Sequence, residues 1–337
     1  MITTYTDHPL RERNSFHVEE QAARLVEFDE ASDLNSIFSE GSAPEHWRVI
    51  GGGNNILFTR RFDGTLIHPT GKKIRIIADD PTMLWVEADA GVDWDEFVQW
   101  TVERGVWGAE NLSLIPGTVG AAPVQNIGAY GSEAKHIIKA VRYFDTQLRE
   151  HRTLLNDECK FDYRDSIFKG ELRGRAIITS VEFCLSKESG PRLLYDNLRA
   201  QVEAYGKATV SNIREVICSI RRSKLPDPKE LGNAGSFFKN PIIPVAVAEA
   251  LSEKYENVPL YLTPDPMLRK VAAGWLIDRA GLKGYRMGNV GVHDRQALVL
   301  VNHGGATGNE VTALARYVQD EVKKKFGIEI EPEVNIW

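Results

Sequence analysis

The sequence predicts an α+β protein of two or three domains. Its 337 residues exceed what one hydrophobic core usually organises. Short strand-like segments alternate with a few amphipathic helices, and the composition, 42% hydrophobic and 26% charged, is that of an ordinary globular chain. Disordered, collagen-like and coiled-coil classes are therefore excluded.

The first 70 residues read as short strands and one helix, and further strands and a second helix follow. The apolar run at residues 49–58 is interrupted by three glycines, which predicts strand, turn and strand. A helix is expected to begin at Asp93, because Glu96 stands three residues further on, and to stop at Gly105. The other strands of this region are expected at residues 64–68, 72–78 and 83–88.

The middle of the chain combines a glycine-rich segment with further strands. Residues 114–131 have too little periodicity for a helix or a long strand, whereas residues 140–146 and 176–185 return to strand character. Asn212 and Glu215 then indicate the start of a helix that runs to Lys224, before a stiff Leu-Pro-Asp-Pro connector. We expect a domain boundary near Lys224.

The last third of the chain reads as a compact α/β unit. It is expected to contain the segment at residues 272–280 and a strand at 297–302. The final helix, at residues 309–325, is capped by Thr307 with Glu310 and ends at Gly327.

Charge and cysteine content limit the class of function. The net charge of −6 gives no general attraction to nucleic acid or to anionic membranes. The three cysteines, Cys159, Cys184 and Cys218, are an odd number without C-x-x-C spacing, so neither a disulfide framework nor a zinc site is expected. With no long apolar stretch, the chain is expected to be a cytoplasmic enzyme without metal, membrane or nucleic-acid partners.

Two glycine-rich segments are candidates for binding a cofactor. Gly51-Gly52-Gly53-Asn54-Asn55 is equally compatible with a tight turn and with an anion-binding nest, because it lacks the G-x-G-x-x-G spacing. The segment at 116–131 contains four glycines, two prolines and three alanines and can build little core. This favours a backbone wrapped against a large ligand, with Thr118, Gln125 and Asn126 as polar contacts.

Three further clusters leave alternatives open. Arg164 and Asp165 are, by themselves, best interpreted as a surface ion pair. Ser236 lies among glycines, two aromatic residues and Lys239, which indicates a positioned side chain, although no nucleophile elbow is present and His293 and His303 are too isolated for a triad. Glutamates alternate at 329, 331 and 333, which as a strand would share one face.

Five segments in order resemble the UDP-N-acetylenolpyruvoylglucosamine reductase family. They are Gly51-Gly52-Gly53-Asn54-Asn55, residues 116–131, Tyr163-Arg164-Asp165-Ser166, Gly235-Ser236-Phe237-Phe238-Lys239-Asn240-Pro241 and Glu331-Pro332-Glu333-Val334. The resemblance covers nearly the whole chain. It implies an FAD-binding pair of α+β subdomains of the vanillyl-alcohol-oxidase (PCMH) type and a C-terminal α/β substrate-binding domain. The tyrosine-bearing insertion at residues 194–198 is similar to the longer family subtype.

The same resemblance implies domain limits, cofactors and a reaction. FAD subdomain 1 would span residues 1–70, completed by 326–337, FAD subdomain 2 would span 71–223, and the substrate domain 224–325. Hydride would pass from NADPH through non-covalently bound FAD to UDP-N-acetylglucosamine enolpyruvate, yielding UDP-N-acetylmuramate for peptidoglycan, and hence for cell-wall biogenesis, cell shape and division. Ser236 is implied as proton donor, with Arg164 and Glu333 as the other catalytic residues.

Ligand contacts are also carried over by the resemblance, residue by residue. The implied FAD contacts are Gly51, Gly52, Gly53, Asn54, Asn55, Leu57, Pro116, Gly117, Thr118, Gly120, Gln125, Asn126, Gly128, Ala129, Tyr130 and Ile178. The implied substrate contacts are Tyr195, Lys224, Lys239, Asn240, Tyr261, Lys283 and Gln296. A monomer is the expected state.

The chain departs from the family pattern at a few positions. Asn54 and Ala121-Ala122 stand where serine is common, which predicts backbone N–H groups in place of hydroxyl contacts. Asn335 replaces a common arginine. Two alternatives remain: another FAD-dependent oxidase or dehydrogenase acting on an alcohol or hydroxy acid, and a UDP-sugar-binding regulator without redox activity. No motif distinguishes NADPH from NADH.

Overall fold

The protein is described by a computed structural model that covers residues 1–195 and 197–337. The chain forms two compact units. Unit 1 contains residues 1–8, 22–52 and 63–223, and unit 2 contains residues 9–21, 53–62 and 224–337. Each unit is therefore assembled from distant parts of the chain, which crosses between them several times.

The described residues form strands and helices in a mixed order. The strands are β1 (Ile2–Pro9), β2 (Gln21–Phe28), β3 (Trp47–Val49), β4 (Ile56–Leu57), β5 (Phe62–Pro69), β6 (Ile74–Asp79), β7 (Met83–Asp89), β8 (Gly128–Ala129), β9 (Ser132–Glu133), β10 (Ile138–Asp145), β11 (Glu150–Leu155), β12 (Ala176–Ser186), β13 (Gly232–Ser236), β14 (Ile242–Pro244), β15 (Leu260–Leu262), β16 (Leu268–Val271), β17 (Arg286–Met287), β18 (Val290–Val292), β19 (Val299–Asn302) and β20 (Asn335–Ile336). The α-helices are α1 (Asp33–Ile37), α2 (Trp94–Glu103), α3 (Leu198–Tyr205), α4 (Val210–Lys224), α5 (Val245–Lys254), α6 (Ala273–Arg279) and α7 (Gly308–Phe326).

Unit 1 contains two larger sheets. The first has the order β1-β2-β5-β3, in which β3 and β5 run parallel. The second is antiparallel throughout, with the order β11-β10-β12-β7-β6. The long strand β12 alternates buried and half-buried side chains, and its apolar face packs with helix α2 in one hydrophobic cluster. The strands predicted at 64–68, 72–78, 83–88, 140–146 and 176–185 are all present.

Helix α2 begins and ends where the sequence predicts. The Asp93 carboxylate accepts the backbone N–H groups of Asp95 and Glu96, which satisfies two of the open donors of the first turn. Trp94, Phe97 and Val98 are buried on its inner face. The rings of Phe97 and Phe183 lie 4.3 Å apart, so the helix is fixed to strand β12 by aromatic contact.

The cap of helix α4 lies three residues earlier than expected. The sequence suggests Asn212 as the first capping residue, but the helix starts at Val210, and the Thr209 hydroxyl accepts the Asn212 N–H at 3.2 Å. The difference arises because Thr and Asn are both good capping residues, and the pattern alone does not choose between them. Ile213, Val216 and Ile217 are buried along one face of the helix, as the periodicity predicts.

Unit 2 is built from small antiparallel sheets and helices. Its sheets have the orders β13-β19-β18-β17 and β14-β16-β15, and β20 pairs with β4 in parallel. Helix α7 has the predicted capping box of Thr307 and Glu310, and Gly327 ends it in the left-handed conformation. Val311, Leu314 and Val318 face the core. No helix in the described ranges has the length and hydropathy of a membrane span.

Candidate active site

The two predicted cofactor segments meet within unit 1. A methyl group built on Gly51 would lie 2.8 Å from the Thr118 hydroxyl oxygen and 3.8 Å from the Ala121 methyl carbon. Only glycine leaves room for this approach, so the first segment needs Gly51 for a tertiary reason. Gly51 and the longer glycine-rich segment thus form one surface of unit 1 that is poor in side chains.

The segment at 116–131 is fixed to the end of strand β7 by its backbone. The N–H groups of Val119 and Gly120 donate to Val92 and Ala90 carbonyls at 2.8 and 2.9 Å. The Gly120 α-carbon also lies against Ala90, since an added methyl would be 2.6 Å from the Ala90 methyl. These two amides are engaged within the unit. The absence of a side chain at 120 is therefore explained by packing.

Asn126 has a structural role that the sequence does not reveal. Its side chain is fully buried, its amide donates to Glu133 Oε2 at 3.0 Å and to the Asp162 carbonyl at 3.1 Å, and its Oδ1 accepts the Lys135 N–H at 3.0 Å. Because both amide hydrogens are used, the side chain cannot donate to a ligand without losing one of these bonds. It joins the glycine-rich segment to the segment that bears Arg164.

Arg164 lies beside the end of the glycine-rich segment. Its Nη2 donates to the Gly128 carbonyl at 3.0 Å, and its guanidinium carbon is 5.7 Å from the Tyr163 ring centre. Its backbone φ of 54° is in the left-handed region, which costs a non-glycine residue free energy. Arg164 is half-buried, unlike the surface ion pair that its neighbours in sequence suggest. This geometry suits a positioned cation.

Ser236 of unit 2 is presented by a bulge in strand β13. The pairing of β13 with β19 shifts between Asn233 and Ser236, and Gly235 has φ +67°. The Asn233 Oδ1 accepts the Gly235 N–H at 2.8 Å, which stabilises the turn. Ser236 itself is exposed, whereas Phe237 and Phe238 beyond it are buried in the core. A fixed backbone therefore carries an accessible hydroxyl.

Glu333 lies in a segment whose backbone bonds to the residues that follow Ser236. The Glu333 N–H donates to the Phe237 carbonyl at 2.7 Å, and the Lys239 N–H donates to the Glu331 carbonyl at 2.9 Å. Phe238 and Pro332 form the antiparallel bridge between them. Of the three expected catalytic residues, unit 2 thus brings together Ser236 and Glu333, while Arg164 belongs to unit 1.

The remaining expected cofactor residues divide between the two units. In unit 1, Ile178 is buried in strand β12, Gly52 and Pro116 are exposed, and the others are half-buried: Gly117, Gln125, Ala129 and Tyr130. In unit 2, Gly53 and Leu57 are buried and Asn54 and Asn55 are half-buried. Asn335, which stands where the family commonly has arginine, makes a structural contact instead. Its backbone and side-chain N–H groups both donate to the Asn55 carbonyl at 3.0 Å.

The expected substrate residues of unit 2 are mostly accessible. The Asn240 Oδ1 accepts the Ala273 N–H at 2.9 Å at the start of helix α6, and the Gln296 Oε1 lies 3.2 Å from the place of a methyl on Gly274. Asn240 and Gln296 thus meet at the same helix. Lys224, Tyr261 and Lys283 are exposed, and Lys283 donates to Asp278 Oδ2 at 3.3 Å. Lys239 is half-buried.

Tyr195, the remaining expected substrate contact, is exposed in unit 1. Its ring packs edge-on against Tyr130, with 5.6 Å between the ring centres. In the insertion that resembles the longer subtype, Asp196 lies outside the described residues.

Sequence inspection missed Arg221, a half-buried cation of helix α4. Its Nε donates to the Leu114 carbonyl at 3.1 Å, and its guanidinium contacts the Tyr130 hydroxyl. Burial lowers the pKa of this guanidinium, and burial likewise raises the pKa of the Tyr130 hydroxyl. The only sequence signal is the Arg221-Arg222 pair near the helix end. Basic residues are common there because they interact favourably with the helix dipole.

These features fit a flavin nucleotide. A side chain at Gly51 would fill the space beside Thr118 and Ala121, which the glycine leaves open. Arg221 supplies a cation next to the same glycine-rich segment. Residues 51–52 and 116–131 of unit 1 would hold the group through backbone and small side chains. No cluster of His, Cys, Asp and Glu that could hold a metal ion occurs within residues 1–195 and 197–337.

Comparisons with known proteins agree with this interpretation. A family model described as FAD binding domain matches residues 22–148, and one described as UDP-N-acetylenolpyruvoylglucosamine reductase, C-terminal domain, matches residues 227–337. The UDP-N-acetylenolpyruvoylglucosamine reductase of Chromobacterium violaceum is 48% identical over 333 residues, which cover 97% of each chain. Those of Pseudomonas aeruginosa and Bdellovibrio bacteriovorus are 46% and 44% identical, over 97% and 98% of each chain.

One solved structure shares the whole fold. The crystal structure of UDP-N-acetylenolpyruvylglucosamine reductase from Thermus caldophilus superposes with a TM-score of 0.70 at 23% identity, over 100% of this chain and 99% of that one.

The fold and the matched flavin-binding region define an FAD-dependent oxidoreductase. The chain belongs to the UDP-N-acetylenolpyruvoylglucosamine reductase family, whose members act in peptidoglycan synthesis. The resemblance carried by the five sequence segments is thereby confirmed at the level of family, fold and cofactor.

Proposed function

We propose that this chain reduces UDP-N-acetylglucosamine enolpyruvate to UDP-N-acetylmuramate, with NADPH as reductant and FAD as bound cofactor. Full-length identity of 44–48% to reductases of this name supports the reaction. The observation that supports the assignment to residues is the bulge that presents the Ser236 hydroxyl, next to the backbone bond between Phe237 and Glu333. A regulator that only binds a UDP-sugar would not need an accessible hydroxyl held on a bulged strand.

Each catalytic residue has a distinct role in the proposed reaction. The glycine-rich residues named above would hold FAD, which would supply hydride transfer from NADPH to the β-carbon of the enolpyruvyl ether. The negative charge that develops on the substrate spreads into its carboxylate, where the Arg164 guanidinium stabilises it through a planar pair of donors. Ser236 donates its proton to the α-carbon, which is strongly basic at that stage. Glu333 is assigned to the same developing charge, as a hydrogen-bond donor to the substrate carboxylate when its own carboxyl group carries a proton.

The contacts to the UDP part of the substrate are proposed as the resemblance implies them. Lys224 and Asn240 are assigned to the diphosphate, and Tyr195, Tyr261 and Gln296 to the rest of the nucleotide, with Lys239 and Lys283 as further contacts. Their accessibility on an acidic chain supports this, because individual placed cations can bind a polyanion without a basic surface. The FAD contacts are proposed as the resemblance gives them, with Arg221 added.

Finer assignments are part of the same proposal. The chain is a cytoplasmic monomer of the longer, tyrosine-bearing subtype, and its reaction supports cell shape and division. Residues 1–70 with 326–337 form one FAD subdomain, residues 71–223 a second, and residues 224–325 the substrate domain. Size-exclusion chromatography with light scattering tests the monomer, and a dimer mass would contradict it.

Flavin spectroscopy tests the reaction directly. The purified protein should be yellow, NADPH should bleach it, and UDP-N-acetylglucosamine enolpyruvate should restore the colour. Bleaching without restoration would exclude this substrate and favour another FAD-dependent dehydrogenase. After denaturation the colour should separate from the protein on gel filtration, since the flavin is proposed to be non-covalent.

Ser236→Ala tests the proton donor. Flavin reduction by NADPH should remain nearly intact, while reoxidation by the enolpyruvyl substrate should slow by about 10²–10⁴-fold, the usual contribution of a general acid. Stability should change little because the side chain is exposed. Ser252→Ala in helix α5 is the control. Equal losses in both half-reactions would contradict the role of Ser236.

A further inference from the structure

Asn111 of unit 1 is a buried amide that connects two segments of different predicted roles. Its side chain is 1% exposed, and its Nδ2 donates to the Tyr130 and Arg192 carbonyls, both at 2.8 Å. Tyr130 is the penultimate residue of the glycine-rich cofactor segment, and Arg192 stands three residues before Tyr195. One side chain therefore fixes the distance between the two backbones.

The orientation of this amide is determined by its surroundings. Both partners are carbonyl oxygens, so exchanging nitrogen and oxygen would place Oδ1 against two acceptors. Among the described residues Asn111 Oδ1 is buried without a hydrogen-bond partner. A buried unpaired oxygen costs about 1–3 kcal/mol. Stability alone therefore does not explain an asparagine at this position. Its two amide hydrogens do explain it, because each of the two carbonyls needs a donor.

Tyr130 depends on this support. Its φ of 48° is in the left-handed region, which is unfavourable for a residue with a side chain. Its ring packs edge-on against the Tyr195 ring, with 5.6 Å between ring centres. A methyl on Gly131 would lie 3.6 Å from the Tyr195 Cβ, so the two backbones run close together at this point. The position of Tyr195 is therefore set against Tyr130.

We infer that Asn111 is a positioning residue that sets the Tyr130–Tyr195 pair and so couples the cofactor segment to the substrate segment. The inference rests on the proposed function in one respect, namely that Tyr195 contacts the substrate. Asn111 itself touches neither ligand. Its loss acts through Tyr195, whose ring then samples positions that do not match the bound nucleotide.

A matched control exists in the same unit. Asn156 also uses its Nδ2 to bridge two backbone carbonyls, those of Lys135 and Ile138, at 2.8 and 2.7 Å. Asn111→Ala and Asn156→Ala thus remove the same chemistry at two places. Both should lower the melting temperature. Only Asn111→Ala should raise the KM for UDP-N-acetylglucosamine enolpyruvate, by about 10-fold, with a smaller change in kcat.

A double-mutant cycle with Tyr195→Ala separates positioning from general destabilisation. In the Tyr195→Ala holoenzyme, Asn111→Ala should change KM by less than about 2-fold, because its effect passes through the absent ring. Equal increases in both backgrounds, no increase in either, or an equal increase from Asn156→Ala would overturn the inference. Should Asn111→Ala fail to fold, Asn111→Ser, whose hydroxyl is too short to reach both carbonyls, replaces it.

Hydrogen exchange gives a readout that does not depend on the substrate. In the holoenzyme, Asn111→Ala should accelerate amide exchange in residues 190–195, and Asn156→Ala should not. If wild-type protein fails to turn over the enolpyruvyl substrate, the proposed function fails while this measurement still decides the position of the segment. Unchanged exchange at 190–195 would refute the structural part of the inference.

Discussion

Gly235→Ala should disable the Ser236 step without touching its hydroxyl. Gly235 has φ +67°, and no atom lies within 4 Å of an added methyl, so the substitution introduces backbone strain and no collision. An alanine in this conformation costs about 1–2 kcal/mol. The bulge can relieve the strain only by rotating the backbone that carries Ser236. A displacement of about 1 Å at a reacting group costs about 10²-fold in rate.

The assay is stopped-flow measurement of the two half-reactions in the holoenzyme. Gly327→Ala is the control, since Gly327 has φ +68°, is equally open and ends helix α7. Both variants should lose similar stability in urea unfolding. Only Gly235→Ala should slow reoxidation of the flavin by about 10²-fold. If the two variants reoxidise equally fast, the bulge does not position the serine.

Three other predictions concern Arg164, Asp95 and Cys159. Arg164→Lys should slow reoxidation at least about 10-fold, because a point charge cannot replace a planar pair of donors, and wild-type turnover would remove Arg164 from the mechanism. Burial raises the pKa of Asp95, but the Arg214 bonds at 2.6 and 2.8 Å outweigh burial and leave it lowered. The Asp95–Arg214 pair therefore stabilises the fold at pH values above the ordinary carboxyl pKa. This stabilisation is lost as the pH falls through the lowered pKa of Asp95. Arg214→Leu should cost about 3 kcal/mol in urea unfolding at pH 7, and a cost as large at pH 3 would contradict this. Burial raises the pKa of the Cys159 thiol to about 12, so mass spectrometry should find it unalkylated by iodoacetamide at pH 8 in folded protein; prompt labelling would show that the thiol is accessible.

Local signals predicted the elements well. The strands at 64–68 and 83–88 and helices α2 and α7 carry their own periodicity and capping residues, so neighbouring sequence determines them. Strand β11 was not foreseen, because its mostly exposed Glu-His-Arg-Thr sequence has no apolar alternation. The start of helix α4 moved from Asn212 to Thr209 for a similar reason, since either residue can cap.

The candidate site was predictable only in part. Ser236 stands out because glycines and buried aromatics surround it in sequence. Arg164, by contrast, looks in the sequence like one partner of a surface ion pair. Only the fold shows that its guanidinium donates to the Gly128 carbonyl. Asn111 gave no recognisable signal and Arg221 only an ambiguous one, since their partners at Tyr130, Arg192 and Leu114 are backbone or distant side-chain groups.

By itself, the sequence determined the class of protein, the mixed architecture, the family and the segments that carry chemistry. These depend on composition, on periodicity and on glycine-rich motifs that remain readable without coordinates. The tertiary structure alone decided that Gly51 meets Thr118, that Asn126 is engaged in holding its own segment, and that Glu333 pairs beside Ser236. Contacts between residues far apart in the chain depend on packing and backbone hydrogen bonds, and a linear pattern does not specify which distant partners will meet.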